Sequence, residues 1–148
     1  MKPDTNNLTG LIDNIDKSFT FDNFQPEKGT LYFTGRDHLK YYNQMVKNTG
    51  TGAEDREQLA LFYILASRKK FREAPGKFIY LNKIKPNPRA FKELLTPGEQ
   101  ALVQLAFYLF TERDIFKISF MDLFTNLDDE KALIAIDGFK LRFGLKIN

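Results

Sequence analysis

The sequence predicts a mainly α, single compact helical domain built around two apolar central helices, and three observations carry that expectation. The stretches "LALFYILA" at 59–66 and "ALVQLAFYLF" at 101–110 are almost unbroken apolar runs, as in helices enclosed by the rest of a domain. The tetrapeptide "TPGE" at 96–99 opens the second run with Thr96 as N-cap, Pro97 where no amide partner is needed and Glu99 three residues on, the sequence form of a capping box. Elsewhere the apolar residues recur at helical spacing between turn residues, with no alternation of strands.

Taken in order, residues 1–18 contain Leu8, Leu11, Ile12 and Ile15, which predict a short peripheral helix. "FTFDNFQPEKGTLYF" at 19–33 alternates aromatic and polar residues around Pro26 and Gly29, and predicts a loop or short hairpin. An amphipathic helix follows, with Leu39, Tyr42, Met45 and Val46 on one face, Thr34 placed to cap it and Gly50 just beyond its end. The next helix runs from "AEDREQ" through "LALFYILA" to Arg68, Lys69 and Lys70, acids first and bases last, a polarity that complements the helix dipole. Pro75, Gly76, Pro86 and Pro88 punctuate the following segment into a short strand or turn near 77–84 and a short helix from Pro88. After the capped helix at Thr96, Ser119 caps a short helix. Asp128 caps a longer one, in which Ala132, Ala135, Ile136, Phe139 and Phe143 form the expected buried face. Gly138 is expected to weaken that last helix by about 1 kcal/mol relative to Ala.

Composition excludes several function classes. The 148 residues suit one domain, and a hydrophobic fraction of 43% with fifteen Phe and six Tyr is too apolar for a disordered chain. With no Cys there is no disulfide, thiolate metal site or cysteine nucleophile. That absence and the lack of an apolar leader in "MKPDTNNLTG" predict a cytoplasmic chain. The longest apolar run is half the roughly 20 residues a membrane helix needs, so no membrane partner is expected. With His38 the only histidine, no metal site or cofactor is expected either. No phosphate-binding loop, dinucleotide fingerprint or hydrolase elbow occurs.

"LYFTGRDHLKYYNQMV", "LALFYILA", "LAFYLF", "SFMDLF" and "GFKLRFG", in this order, resemble a family of small uncharacterised proteins of Gram-positive bacteria, often carried on phages and conjugative elements. The resemblance covers roughly residues 31–144 and includes His38 and Arg142. The family pattern has a Trp shortly before the helix that begins here at Thr96, and this chain has none. The resemblance implies a mainly helical fold and a mobile-element setting, and brings no activity with it.

The charge distribution supplies the candidate site. Arg68, Lys69, Lys70, Arg72, Lys77, Lys83, Lys85, Arg89 and Lys92 face one acid, Glu73, so this segment carries +8 and the rest of a +3 chain carries −5. Such a dipolar surface steers charged partners. The interleaved Phe71, Phe78, Tyr80 and Phe91 could stack bases if exposed, or simply belong to the core. His38, near Arg36, Asp37, Tyr41 and Tyr42, is read as part of a helix start, with a ribonuclease-like base as the minority reading. "DDEK" at 128–131 has the order of a metal-nuclease motif, but its acids are accounted for by the helix start they occupy. The leading expectation is therefore a non-enzymatic binding module that docks on a protein partner. Nucleic-acid binding through 68–92 comes second and a metal-independent nuclease-like enzyme third.

Overall fold

The computed structural model describes residues 31–80, 85–113 and 115–145. The helix expected near Leu8–Ile15, most of the stretch at 19–33 and Lys83 lie outside the described residues. Only 31–33 of that stretch is described, and it carries no regular secondary structure.

The domain is mainly helical. Helix α1 spans Arg36–Thr49 and stops at Gly50, whose φ of 65° is a left-handed conformation that glycine takes without penalty. Helix α2, Arg56–Ala66, is buried at every residue from Ala60 to Ala66. It packs against α1 and against two later helices, α6 (Pro97–Thr111) and α8 (Asp129–Phe143), so the core sits around α2. Between them lie α3 (Lys69–Glu73), α4 (Pro75–Phe78), strand β1 (Ile79–Tyr80), strand β2 (Lys85–Pro86), α5 (Pro88–Leu94) and, after α6, α7 (Phe120–Thr125). The two strands pair antiparallel with Ile79 opposite Pro86, and so form the short strand expected between the prolines.

The expected caps of the later helices are present. Thr96 Oγ1 accepts from the Glu99 amide at 3.2 Å while Glu99 Oε1 accepts from the Thr96 amide at 3.0 Å, completing the capping box of α6. Ser119 accepts from the Asp122 amide and Asp128 from the Lys131 amide, as expected for α7 and α8. Within α6, Leu102, Ala106 and Phe107 have no exposed surface. Complete burial of a side chain such as Phe107 contributes about 1.5–3 kcal/mol.

Three local expectations are corrected. Thr34 does not cap α1: the N-cap is Gly35, with no side-chain cap bond, and the Thr34 amide instead donates to His38 Nδ1 at 3.2 Å. Arg68 to Lys70 do not cap the helix before them. The chain turns at Ser67 into α3, and it is Arg72 Nη1 that reaches back to the Ala66 carbonyl at 2.7 Å. Finally, α8 buries Ile134, Ala135 and Gly138, whereas Ile136, Phe139 and Phe143 remain exposed. The reason is steric. A Cβ on Gly138 would lie 2.7 Å from Ile64 Cδ1, so the missing side chain is what lets α8 approach α2, and the helix turns its Gly face inward. Gly138, expected only to weaken the helix, is where α8 lies directly against Ile64 of α2.

Candidate functional site

The basic segment is dispersed by the fold into structural and free charges. Arg68 is buried, and donates to Ser67 Oγ and to Glu130 Oε1, both at 3.1 Å, tying the α2–α3 turn to α8. Lys70 Nζ bridges the Leu94 carbonyl at 3.0 Å and Glu99 at 2.9 Å. Burial alone would raise the Glu99 pKa, but the Thr96 amide and Lys70 outweigh it and hold the carboxyl below its ordinary value. Arg72, besides its bond to Ala66, lies over the Tyr41 ring at 5.9 Å, and its pKa is lowered chiefly by burial. Lys69 pairs with Glu73 and Arg89 with Glu93 on open surface, where ion pairs contribute little. Lys77, Lys85 and Lys92 are exposed and, among the described residues, make no ion pair. Of the four rings expected to stack bases if exposed, Phe71, Phe78 and Phe91 are buried in the core, and the Tyr80 side chain lies outside the description.

His38 is enclosed, with none of its surface exposed, rather than sitting on an open helix start. A carbonyl can only accept, so the 2.7 Å contact with the Tyr63 carbonyl places the proton on Nε2, and Nδ1 accepts from Thr34. The rings of Phe33 and Tyr63 pack against the imidazole, and Tyr42 packs against both of them. Burial pushes its pKa down to about 3, against the opposing pull of the Tyr63 bond and assisted by the charges of Arg72 and Arg68. A neutral imidazole with both nitrogens bonded to backbone links the segment before α1 to the middle of α2. Burial likewise raises Tyr42 to about 12.

A different surface has the shape of a site. Between α6 and the C-terminal half of α8 lies an apolar groove of about 350 Å³. Leu105, Tyr108, Ile115, Phe120, Phe139 and Phe143 line it. Tyr108, Phe139 and Phe143 each expose 42–47% of their surface, and Phe120 exposes 67%. Arg113 contributes the charged part of the lining. Arg142 of α8 ties the two helices together by donating to the Leu109 carbonyl at 2.8 Å and to Glu112. No group of three or more His, Cys, Asp or Glu placed to hold a metal ion occurs among the described residues.

The model of the Family of unknown function (DUF6075) matches residues 28–148. The chain belongs to the DUF6075 family. The resemblance expected over roughly 31–144 is thereby shown at the level of an uncharacterised domain family. No curated protein and no solved structure matches the chain.

The groove lies wholly inside the DUF6075 match, and so do all nine basic residues of the sequence-derived site. Sequence reasoning did not find the groove because Phe139 and Phe143 have the spacing of a core stripe. The one available signal was Gly138, since a glycine inside a capped helix often marks where another backbone approaches and thus which face turns inward.

Proposed function

We propose that this DUF6075 chain is a non-enzymatic binding module, of cytoplasmic and mobile-element setting, that docks on a protein partner through the groove between α6 and α8. The observation that carries the reading is the set of half-exposed rings, Tyr108, Phe139 and Phe143, around a concave apolar surface. Aromatic side chains anchored in a pocket and rimmed by polar groups are the usual centre of a protein interface. The rim cation Arg113 and Lys140, one turn from Ile136 and Phe143, make no ion pair among the described residues, which suits a partner with acidic flanks. The missing cysteines support the cytoplasmic setting, and the family resemblance supports the mobile-element one. The test is affinity capture from an extract of the source cells by the full chain and by Phe139→Asp, followed by binding of the purified captured protein. Loss of that protein with the variant, which melts like wild type, is expected. Capture unchanged by Phe139→Asp would remove the groove from the reading.

Nucleic-acid binding is a second reading, favoured by Lys77, Lys85 and Lys92, which are exposed within one stretch and make no ion pair among the described residues. It gains no base stacking from Phe71, Phe78 or Phe91, which are buried, and would rest on phosphate contacts by the lysines. The variant Lys77→Ala/Lys85→Ala/Lys92→Ala would then lower the salt slope of single-strand binding by about 0.7 per lost contact. No measurable wild-type binding is expected.

A further inference from the structure

The surface around the groove is complementary to itself. The two most exposed large apolar side chains among the described residues, Phe120 at 67% and Met121 at 71%, stand together at the start of α7, where Phe120 lines the groove and Met121 follows it. A projecting pair of apolar side chains beside a concave apolar surface is what a two-fold dimer needs, because the axis brings the projection of each copy to the hollow of the other. The charges follow the same rule. Arg113, lining the groove, and Asp122, next to Met121, are both exposed and neither makes an ion pair among the described residues. In an isologous interface each Arg113 meets the other copy's Asp122, so both unpaired charges are matched at once.

The area is sufficient. Large side chains cover about 150–250 Å² each when buried, so half-exposed ones offer roughly 100 Å² apiece. Phe120 and Met121 with Tyr108, Ile115, Phe139 and Phe143, and Ile136 beside them, provide on the order of 700 Å², close to the roughly 800 Å² per partner of a standard interface. That exceeds the usual largest patch of a monomer, about 300–600 Å².

We propose that the partner seated on this face is a second copy of the chain, in a two-fold dimer that places Phe120 and Met121 of each copy in the groove of the other. The inference rests on the reading of the groove as a docking surface and names its occupant.

Sedimentation velocity on the full chain from about 1 to 200 µM tests it, since a standard-size interface of moderate quality falls in the micromolar range. Wild type is expected to pass from monomer to dimer within that range. Met121→Asp should weaken the dimer by about tenfold or more, and Arg113→Asp or Asp122→Arg alone by about threefold or more. The double variant Arg113→Asp/Asp122→Arg should regain affinity to within about threefold of wild type, because each reversed charge again meets its opposite. Circular dichroism checks that every variant is folded. A wild-type chain that stays monomeric throughout overturns the inference, whether the groove then takes a different protein or residues of the same chain. A dimer indifferent to these substitutions also overturns it, by placing self-association on another face. Capture with Phe139→Asp decides the docking reading separately: a monomer whose captured protein is lost with that variant keeps the groove and removes only the second copy.

Discussion

Helices α6 and α8 are each fifteen residues long, each begins with a side-chain cap, and each ends in a left-handed residue, Glu112 and Gly144 respectively. Yet α6 buries seven residues, Leu102 and Phe107 among them, and α8 buries three. The difference is position. Helix α6 is enclosed between α2, α7 and α8, whereas α8 packs on α2 and α6, with Gly138 against Ile64, and leaves Phe139 and Phe143 outside. An apolar residue in a capped helix is therefore no guide to burial until it is known which face the neighbours take, and the leftover apolar face is where a partner can act.

The sharpest way to break the comparison is to truncate one ring from each helix. Phe107→Ala should cost about 3–5 kcal/mol in urea unfolding, while Phe139→Ala, measured where the chain is monomeric, should cost less than about 1 kcal/mol. Equal losses would mean that α8 is as enclosed as α6.

The enclosed side of the comparison also has a titratable member. His38 has a folded pKa near 3 against about 6.5 when unfolded. Between these values the unfolded chain binds the extra proton, so stability is complete above about pH 6.5 and falls as pH drops towards 3, by about 1.4 kcal/mol per unit inside that window. Glu99, whose pKa is lowered, contributes a loss in the same direction only below its ordinary value of 4.5. Melting temperatures recorded from pH 7.5 to 5 therefore isolate His38. Wild type should decline there and His38→Gln should stay nearly flat; parallel curves would show that the imidazole takes up a proton without unfolding.

The smallest effect concerns the contact that orients α8. Gly138→Ala gains about 1 kcal/mol in helix propensity but forces Ile64 aside, a strain of about 1–3 kcal/mol, so a net loss of about 1 kcal/mol is expected. Ile64→Val in the same chain should recover part of it by removing Cδ1. Stabilisation by Gly138→Ala alone would mean that α8 can back away from α2, and the asymmetry between the helices would lose its steric cause.

Much of the fold was legible because local chemistry and global position agreed. The capping box at Thr96 and Glu99, the caps at Ser119 and Asp128, the stop at Gly50 and the enclosed run Ala60–Ala66 are each specified by neighbouring residues. What was not legible depended on contacts across the chain. His38 is held by Tyr63, and Arg68 meets Glu130, 62 residues away. The basic segment resembled a site because sequence shows charge without its partners, and the groove was hidden because its rings have the periodicity of a core.

The segment before α1 is closed from two directions: the Tyr63 hydroxyl donates to the Tyr32 carbonyl at 2.5 Å, and the Tyr32 amide donates to Asp137 Oδ2 at 2.7 Å, across 105 residues of sequence. On the ribosome the first bond can form as soon as α2 emerges, but the second must wait for α8. At about 5–20 residues per second that delay is on the order of 4–15 s. During it α2, whose residues Ala60–Ala66 are all buried in the finished fold, lacks α6 and α8, and its apolar surface is open to chaperones and to other nascent chains. The Tyr32 to Asp137 bond thus forms only after α8 has been made and has packed onto α2.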